Sequence, residues 1–288
     1  MTTVRVAAVQ MRSGENPQRN VADFEALVRE AAAQGAAYVQ SPEMTGALMR
    51  DRQALKAVLK PQGEDEIERA ASRLAAELGI VVHVGSTAIA RPDGKVANRA
   101  FVFGPDGGLV ATYDKIHMFD VDLDNGESWR ESATYEPGAA STVVELPFGK
   151  LGMAICYDVR FPQLFRAQAL AGAQVLTAPA AFTRQTGEAH WHVLQRARAI
   201  ENGAFVVSAA QGGRHEDGRE TYGHSLIVDP WGRVVAEADH DAPGVVVADI
   251  DLSQAAQARA KIPNLQNARE FSVAQAGPAA NAGGRTAR

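Results

Sequence analysis

The sequence predicts a layered α/β fold with mixed sheets, and three observations carry that expectation. Short apolar, β-branched runs alternate along the chain with longer segments whose apolar residues recur at helical spacing. Tight turns such as Pro92-Asp93-Gly94, Pro105-Asp106-Gly107-Gly108 and Asp229-Pro230-Trp231-Gly232 join neighbouring runs as hairpins, so the sheets are mixed rather than purely parallel. The runs are numerous enough for two sheets, and 288 residues at 46% hydrophobic and 22% charged can bury a substantial core.

Val4 to Gln10 alternates and then runs apolar as a first strand. Asn16-Pro17 starts a helix, since proline is tolerated in the first turn, and Val21, Phe24, Leu27, Val28 and Ala31 keep its spacing up to Gly35. Ala36 to Ser41 is the next strand and delivers Pro42-Glu43. Glu64 to Gly79 is a second amphipathic helix, and Ile80 to Ala88 a β-branched strand. Strands follow at Ala97 to Phe103 and Leu109 to Tyr113, the latter delivering Asp114-Lys115. From Ile116 to Pro137 the sequence is irregular and acidic, the kind of segment that is usually functional or mobile. Thr142 to Leu146 and Leu151 to Ile155 are strands, Phe161 to Ala171 a helix, and Val175 to Ala178 a strand. His190 to Glu201 is a helix, followed by strands at Ala204 to Ala210, Gly223 to Val228, Arg233 to Ala236 and Val245 to Ile250. Leu252 to Lys261 is a last helix. Neither a repeat nor an interdomain linker is visible, so we read one domain over 1–273. The tail 274–288, full of Ala, Gly and Pro, is read as disordered or as an arm that orders against a partner.

A net charge of −5 gives no electrostatic reason to expect nucleic acid or an anionic membrane as a partner. One cysteine forms no intrachain disulfide and supplies no thiolate cluster for zinc. Met1 to Gln10 lacks a charged n-region followed by a long apolar stretch, and no segment reaches membrane-spanning length, so the expected address is cytoplasmic.

The chemistry centres on Gly149 to Gln163, which reads GKLGMAICYDVRFPQ. The only cysteine, Cys156, stands between a buried strand and a helix, where oriented backbone N–H groups would favour the thiolate and lower its pKa. Position alone leaves two roles for it, a nucleophile or a small buried hydrophobe. Glu43, Lys115 and Cys156 share one property: each lies at or just beyond the C-terminal end of a short apolar strand, the rim of an α/β sheet where loops converge side chains on one pocket. Taken singly, Glu43 reads as a solvated loop residue and Lys115 as a surface charge. Together with Cys156 they suit acyl transfer, in which a thiolate attacks, a carboxylate moves the proton and an ammonium stabilises the oxyanion.

Ser41-Pro42-Glu43, Tyr113-Asp114-Lys115-Ile116-His117 and the run from Gly152 to Pro162 resemble, in order, the three motifs of the nitrilase superfamily of carbon–nitrogen hydrolases. The likeness extends from Val4 to about Lys261. It implies a four-layer α-β-β-α sandwich that dimerises through helices near the active site and needs no cofactor or metal. It also implies Glu43 as general base, Lys115 as oxyanion stabiliser, Cys156 as nucleophile and the Tyr157 backbone N–H as second oxyanion donor. A further family glutamate matches Glu131 best, with Glu127 as the alternative.

Pro179 to Phe182, Gly187 to Trp191, Arg196 to Asn202, and Tyr222-Gly223-His224-Ser225 resemble the Nit branch of that superfamily, whose members hydrolyse ω-amides of 2-oxo acids or deaminated glutathione. The likeness implies a small-molecule amide as substrate, with Arg160, Phe182 and Thr186 as candidates to hold it. A guanidinium fork suits a carboxylate and a phenyl wall an aliphatic chain. Gln211 to Glu216 looks more like the deaminated-glutathione type, while Arg214 and Arg219 are read as plain loop charges. His190 and His192, two apart on a helix with no carboxylate at matching spacing, make no metal site, and Met44, Met49 and Met118 are read as gap-filling apolar side chains. The rivals to an amidase are a nitrilase or N-carbamoyl hydrolase using the same three groups, and a silent interaction protein that keeps only the fold.

Overall fold

Strand Thr3–Gln10 divides its side chains between two cores, Val4, Val6 and Ala8 on one face and Ala7 and Val9 on the other. A strand buried on both faces needs a layer on each side of its sheet, and this alternation sets the architecture. The computed structural model describes residues 3–123, 126 and 128–275.

The first sheet runs, edge to edge, Gly244–Asp251, Thr3–Gln10, Tyr38–Gln40, Val81–Ala90, Val96–Phe103 and Leu109–Asp114, with the short Lys60–Pro61 paired to the end of Val81–Ala90. Its centre is parallel and its edges are antiparallel. The second sheet runs Val234–Glu237, Leu226–Val228, Phe205–Ser208, Val175–Thr177, Gly149–Met153 and Thr142–Leu146, again parallel at the centre.

The helices are α1 (Pro17–Ala33), α2 (Arg52–Val58), α3 (Glu66–Leu78), α4 (Pro162–Leu170), α5 (Arg184–Asn202) and α6 (Ser253–Lys261). Phe24 and Val28 of α1 and Ile67 and Leu74 of α3 pack with Val39, Val82 and Phe101 against the outer face of the first sheet. Between the sheets, Val6, Tyr38 and Val102 meet Leu151, Val175 and Val207 in a core that continues to Phe165 of α4 and Trp191 of α5 on the far side. The result is the four-layer α-β-β-α sandwich with two mixed sheets.

Local chemistry explains the boundaries. The Asn16 side chain accepts from Arg19 N ahead of Pro17, and the Asp65 side chain caps α3 through Ile67 N and Glu68 N. Gly79, at φ +66°, closes α3 in the left-handed region that residues with a Cβ adopt only at a conformational cost.

The sequence reading missed three elements. Helix α2 is short and amphipathic through little more than Leu55, too little period to read; Asp51 starts it by accepting from Gln53 N and Ala54 N. The segment read as irregular carries a ribbon, Asp120–Asp122 against Ser128–Arg130, and a 3-10 turn at Glu131–Ala133. The loop read at Arg214 to Glu220 is the tip of a hairpin between Gly212–Arg214 and Glu220–Tyr222. The expected tail 274–288 lies, from residue 276 onward, outside the described residues.

Polar side chains join the ends of the two sheets. Gln40 Oε1 accepts from Ala209 N at 2.8 Å, and the buried Gln211 amide donates to Ser13 Oγ at 2.8 Å and to the Glu43 carbonyl at 3.0 Å. Gly85 permits the closest approach: a Cβ there would collide with the Ser41 and Pro42 carbonyl oxygens and with Pro179. The loop carrying Glu43 is thereby pressed against the loop next to Cys156, whose N–H donates to Pro179 O at 2.9 Å.

Candidate active site

Glu43 follows strand Tyr38–Gln40, Lys115 follows Leu109–Asp114 and Cys156 follows Gly149–Met153, so the first sheet supplies two groups and the second sheet one. All three are buried, Lys115 at 2% exposure. Lys115 Nζ donates to Glu43 Oε1 at 2.8 Å and to Glu131 Oε1 and Oε2 at 2.9 and 2.8 Å. Glu43 Oε2 accepts from Ala181 N at 2.9 Å, and Glu131 Oε2 from Phe119 N at 2.7 Å. Asn98 Nδ2 bridges the two carboxylates, 3.0 Å from Glu43 Oε1 and 3.1 Å from Glu131 Oε1. The Cys156 thiol lies close enough to the Glu43 carboxylate to feel its charge.

Two carboxylates sharing one ammonium set the proton positions. Burial would push Glu43 up, but the Lys115 charge and its hydrogen bond, with those from Cys156 and Ala181, hold it below the usual carboxylate range. Glu131 is pushed up by burial and by the Glu43 charge. Burial alone would lower Lys115, yet Glu131 and Glu43 keep it charged. Burial, and then the Glu43 charge, raise the Cys156 thiol well above its ordinary value. This corrects the expectation of a thiolate lowered by a helix N-terminus: Cys156 opens a short 3-10 turn, Cys156–Arg160, while α4 begins only at Pro162. The resting thiol is protonated and rests against a charged base.

The backbone is strained at both ends of that contact. Met44, next to Glu43, has φ +56° and Cys156 itself +48°, the left-handed region that non-glycine residues occupy at a cost. Asp158 holds the Cys156 turn. Its Oδ2 accepts from Tyr113 Oη at 2.7 Å and Ile155 N at 2.9 Å, and its Oδ1 meets His117 N at 3.1 Å and His117 Nδ1 at 2.6 Å. One buried carboxylate thus ties the Cys156 turn to both flanks of Lys115. Asp158→Asn removes the charge from four hydrogen bonds, each worth about 1.5–3 kcal/mol when one partner is charged. We expect a lower melting temperature together with a fall in kcat that exceeds any rise in KM, read by calorimetry and steady-state kinetics. Unchanged kcat would remove Asp158 from the positioning of the site.

Above the cluster opens a cavity of about 270 Å³ lined, among others, by Glu43, Lys115, Glu131, Cys156, Tyr157 and Phe182. Thr186 also lines it, its Oγ1 2.8 Å from Thr183 Oγ1 at the start of α5. Tyr157 is the second residue of the 3-10 turn, where backbone N–H groups lack partners within the turn. Glu127 lies outside the described residues.

The carbon-nitrogen hydrolase family model matches residues 5–260. The chain belongs to the carbon-nitrogen hydrolase family. A deaminated glutathione amidase of Yersinia enterocolitica is 38% identical over 272 residues, 93% of this chain and 94% of that protein. A human omega-amidase, NIT2, is 36% identical over 269 residues, 93% and 96% of the two chains. Among solved structures, the Caenorhabditis elegans NitFhit protein superposes with a TM-score of 0.85 at 33% identity, over 93% of this chain and 65% of that one. The protein is therefore a hydrolase of the nitrilase superfamily that acts on non-peptide carbon–nitrogen bonds.

Other expectations for this carbon–nitrogen hydrolase are corrected. Arg160 does not line the cavity: its guanidinium sits 3.3 Å from His190 Nδ1, 5.4 Å from the ring centre of Phe182 and 5.9 Å from that of Tyr157. Arg219, read as a plain loop charge, is largely buried, paired with Asp217 at 2.7 Å and part of the cavity wall. Met44 and Met49 line the cavity rather than merely filling a core. His192 does find a carboxylate, because folding supplies what spacing could not: Glu237 Oε1 lies 2.7 Å from His192 Nε2 and 2.8 Å from His224 Nδ1. Asn98 was missed although a polar residue inside the apolar strand Val96–Phe103 signals a buried partner. No helix among the described residues is long and apolar enough to cross a membrane.

Proposed function

We propose that the protein is a thiol-dependent amidase whose substrate is deaminated glutathione, cleaved to α-ketoglutarate and cysteinylglycine. The observation that carries the reading is the convergence of the Cys156 thiol, the Glu43 carboxylate and the buried Lys115 ammonium, 2.8 Å from Glu43, on one cavity. Its relatives' names support the substrate class.

With the scissile carbonyl over Cys156, Glu43 takes the thiol proton as sulfur attacks carbon, and Lys115 Nζ with the Tyr157 N–H stabilises the oxyanion. The C–N bond breaks as Glu43 returns the proton to the leaving nitrogen, leaving an acyl thioester. Water, deprotonated by Glu43, then attacks the same carbon, and the thiolate leaves and is reprotonated. Glu131 keeps Lys115 charged and aimed. Phe182 and Thr186 hold the acyl half, while Arg160 contributes positive charge from behind the Tyr157 and Phe182 rings.

Release of α-ketoglutarate from deaminated glutathione and from α-ketoglutaramate, measured side by side, tests the substrate. We expect kcat/KM at least about tenfold higher for the first, a difference of roughly 1.4 kcal/mol in transition-state binding. Preference for the bare amide would make the enzyme an omega-amidase. Silence on both with turnover of a nitrile or an N-carbamoyl compound would overturn the amidase reading.

The proposal includes self-association and a cytoplasmic address, a reducing compartment that suits a free catalytic thiol. Val193 and Ile200 stand exposed on α5 near the exposed Trp231, an apolar face that a second copy would cover. Sedimentation at micromolar concentration should show a dimer or a multiple of it as the main species, and a clean monomer would contradict this.

A further inference from the structure

At the mouth of the cavity two guanidinium groups flank one indole. Arg50 Cζ lies 4.5 Å and Arg219 Cζ 4.8 Å from the ring centre of Trp129, and all three residues line the cavity. The three come from distant places: the loop after Glu43, the ribbon strand Ser128–Arg130 and the tip of the Gly212–Tyr222 hairpin. Stacking on the indole favours each cation, but their mutual repulsion does not.

Among the described residues, Arg219 has an ion-pair partner and Arg50 has none. Arg219 donates through Nε and Nη2 to Asp217 Oδ2, both at 2.7 Å, whereas Arg50 is exposed and has no ion pair among the described residues. Burial pulls the Arg219 pKa down and the Arg50 charge adds to that, while Asp217 opposes both. Trp129 Nε1 is buried without an acceptor. A buried N–H with nothing to bond costs stability unless a ligand supplies the acceptor. A planar anion at the mouth would meet the exposed Arg50 guanidinium fork held over the indole ring. Arg52 and Arg130 also line the cavity, so among its outer lining residues arginines outnumber the single carboxylate of Glu220.

We propose that Arg50, Trp129 and Arg219 form a carboxylate-binding subsite that takes the terminal carboxylate of the amine half of the substrate. The inference rests on the amidase reading, in which Phe182 and Thr186 hold the acyl half and the leaving amine extends toward the mouth. It assigns selection between a bare ω-amide and a peptide-like amide to Arg50 and Arg219, since only the latter substrate carries an anion on that side. A guanidinium suits the role because it offers a carboxylate two parallel N–H bonds.

Calorimetric titration of the intact protein with cysteinylglycine and with its C-terminal carboxamide tests the subsite without turnover. The parent should bind the free carboxylate at least about tenfold more tightly, the scale of one charge-assisted pair. In Arg50→Gln that preference should fall below about threefold, and Arg50→Lys should recover part of it. Arg50 is exposed, so Arg50→Gln is expected to fold; Arg219→Gln, which frees Asp217, serves as the second variant if its melting temperature holds. A parent without preference for the carboxylate, or a preference unchanged in Arg50→Gln, overturns the proposal. So does a loss of α-ketoglutarate binding in Arg50→Gln with cysteinylglycine binding intact, which would move the anion to the acyl half. Failure of the substrate reading shows itself separately, as wild-type enzyme that releases no α-ketoglutarate from either amide.

Discussion

Cys156→Ala is expected to lower turnover to background, about five to six decades, the scale on which loss of a catalytic nucleophile registers. No other thiol exists in the chain to substitute. The fold should survive because the replacement keeps a Cβ at a left-handed position that cysteine already occupies at φ +48° and removes only the sulfur. The Cys156 N–H bond to Pro179 O and the four hydrogen bonds of Asp158 are untouched by it. Circular dichroism and a melting curve close to wild type, with no product in a day-long assay, is the expected outcome. Activity above about one per cent would remove the thioester mechanism, since the residual catalysis left by a missing nucleophile is orders of magnitude smaller.

Glu43→Gln is expected to cost two to four decades in kcat/KM, roughly what a general acid–base supplies, and probes the site differently. Lys115 Nζ, Asn98 Nδ2 and Ala181 N all donate to the Glu43 carboxylate. A glutamine must turn its NH₂ toward one of these donors, so stability should also fall by about 1–3 kcal/mol for the unsatisfied contact. The pH dependence carries the sign of the mechanism. Glu43 works as a base only when ionised, and its pKa lies below the ordinary carboxylate range, so wild-type kcat/KM should be level above about pH 6 and fall as the medium is acidified. That acid limb belongs to Glu43 and Glu131 jointly, since they share one ammonium. No limb should appear near pH 8.5, where an ordinary cysteine ionises, because Cys156 is raised well beyond it. In Glu43→Gln the Glu43 part of the acid limb should be lost, leaving only what Glu131 contributes, and the residual rate should rise with pH as free thiolate forms. A wild-type limb near pH 8.5 would show that prior ionisation of the thiol, not proton transfer to Glu43, starts the reaction.

Much of this site was legible in the sequence because strand ends are. Glu43, Lys115 and Cys156 each follow a short apolar run, and sheet geometry converges such positions on one rim. The layers were legible from the alternation of strand-like and helix-like segments, and their four-layer order from the likeness to the nitrilase superfamily; the division of Val4, Val6 and Ala8 from Ala7 and Val9 between two cores emerged only in the structure. What stayed hidden depends on long-range contact. Arg50 and Arg219 are 169 positions apart and meet only on Trp129, whose ribbon has too short a period to announce itself. Glu237 reaches His192 of α5 from the strand Val234–Glu237, and Asn98 acquires its role only when two carboxylates fold onto it. The direction of the Cys156 shift was misread because position suggested a helix N-terminus. Burial and the adjacent carboxylate dominate instead.

The central claim is that both halves of the reaction pass through one acyl thioester on Cys156, and partitioning to an added nucleophile tests it most directly. Deaminated glutathione and α-ketoglutaramate share an acyl group and differ in the amine they release. With methanol present, a common acyl-enzyme must give the ω-methyl ester and α-ketoglutarate in the same ratio from both amides, at every methanol concentration, whatever their individual rates. We predict identical ratios. A ratio that changes with the leaving amine, or α-ketoglutarate formed with no methyl ester at any concentration, would show that water attacks the amide directly and would contradict the account.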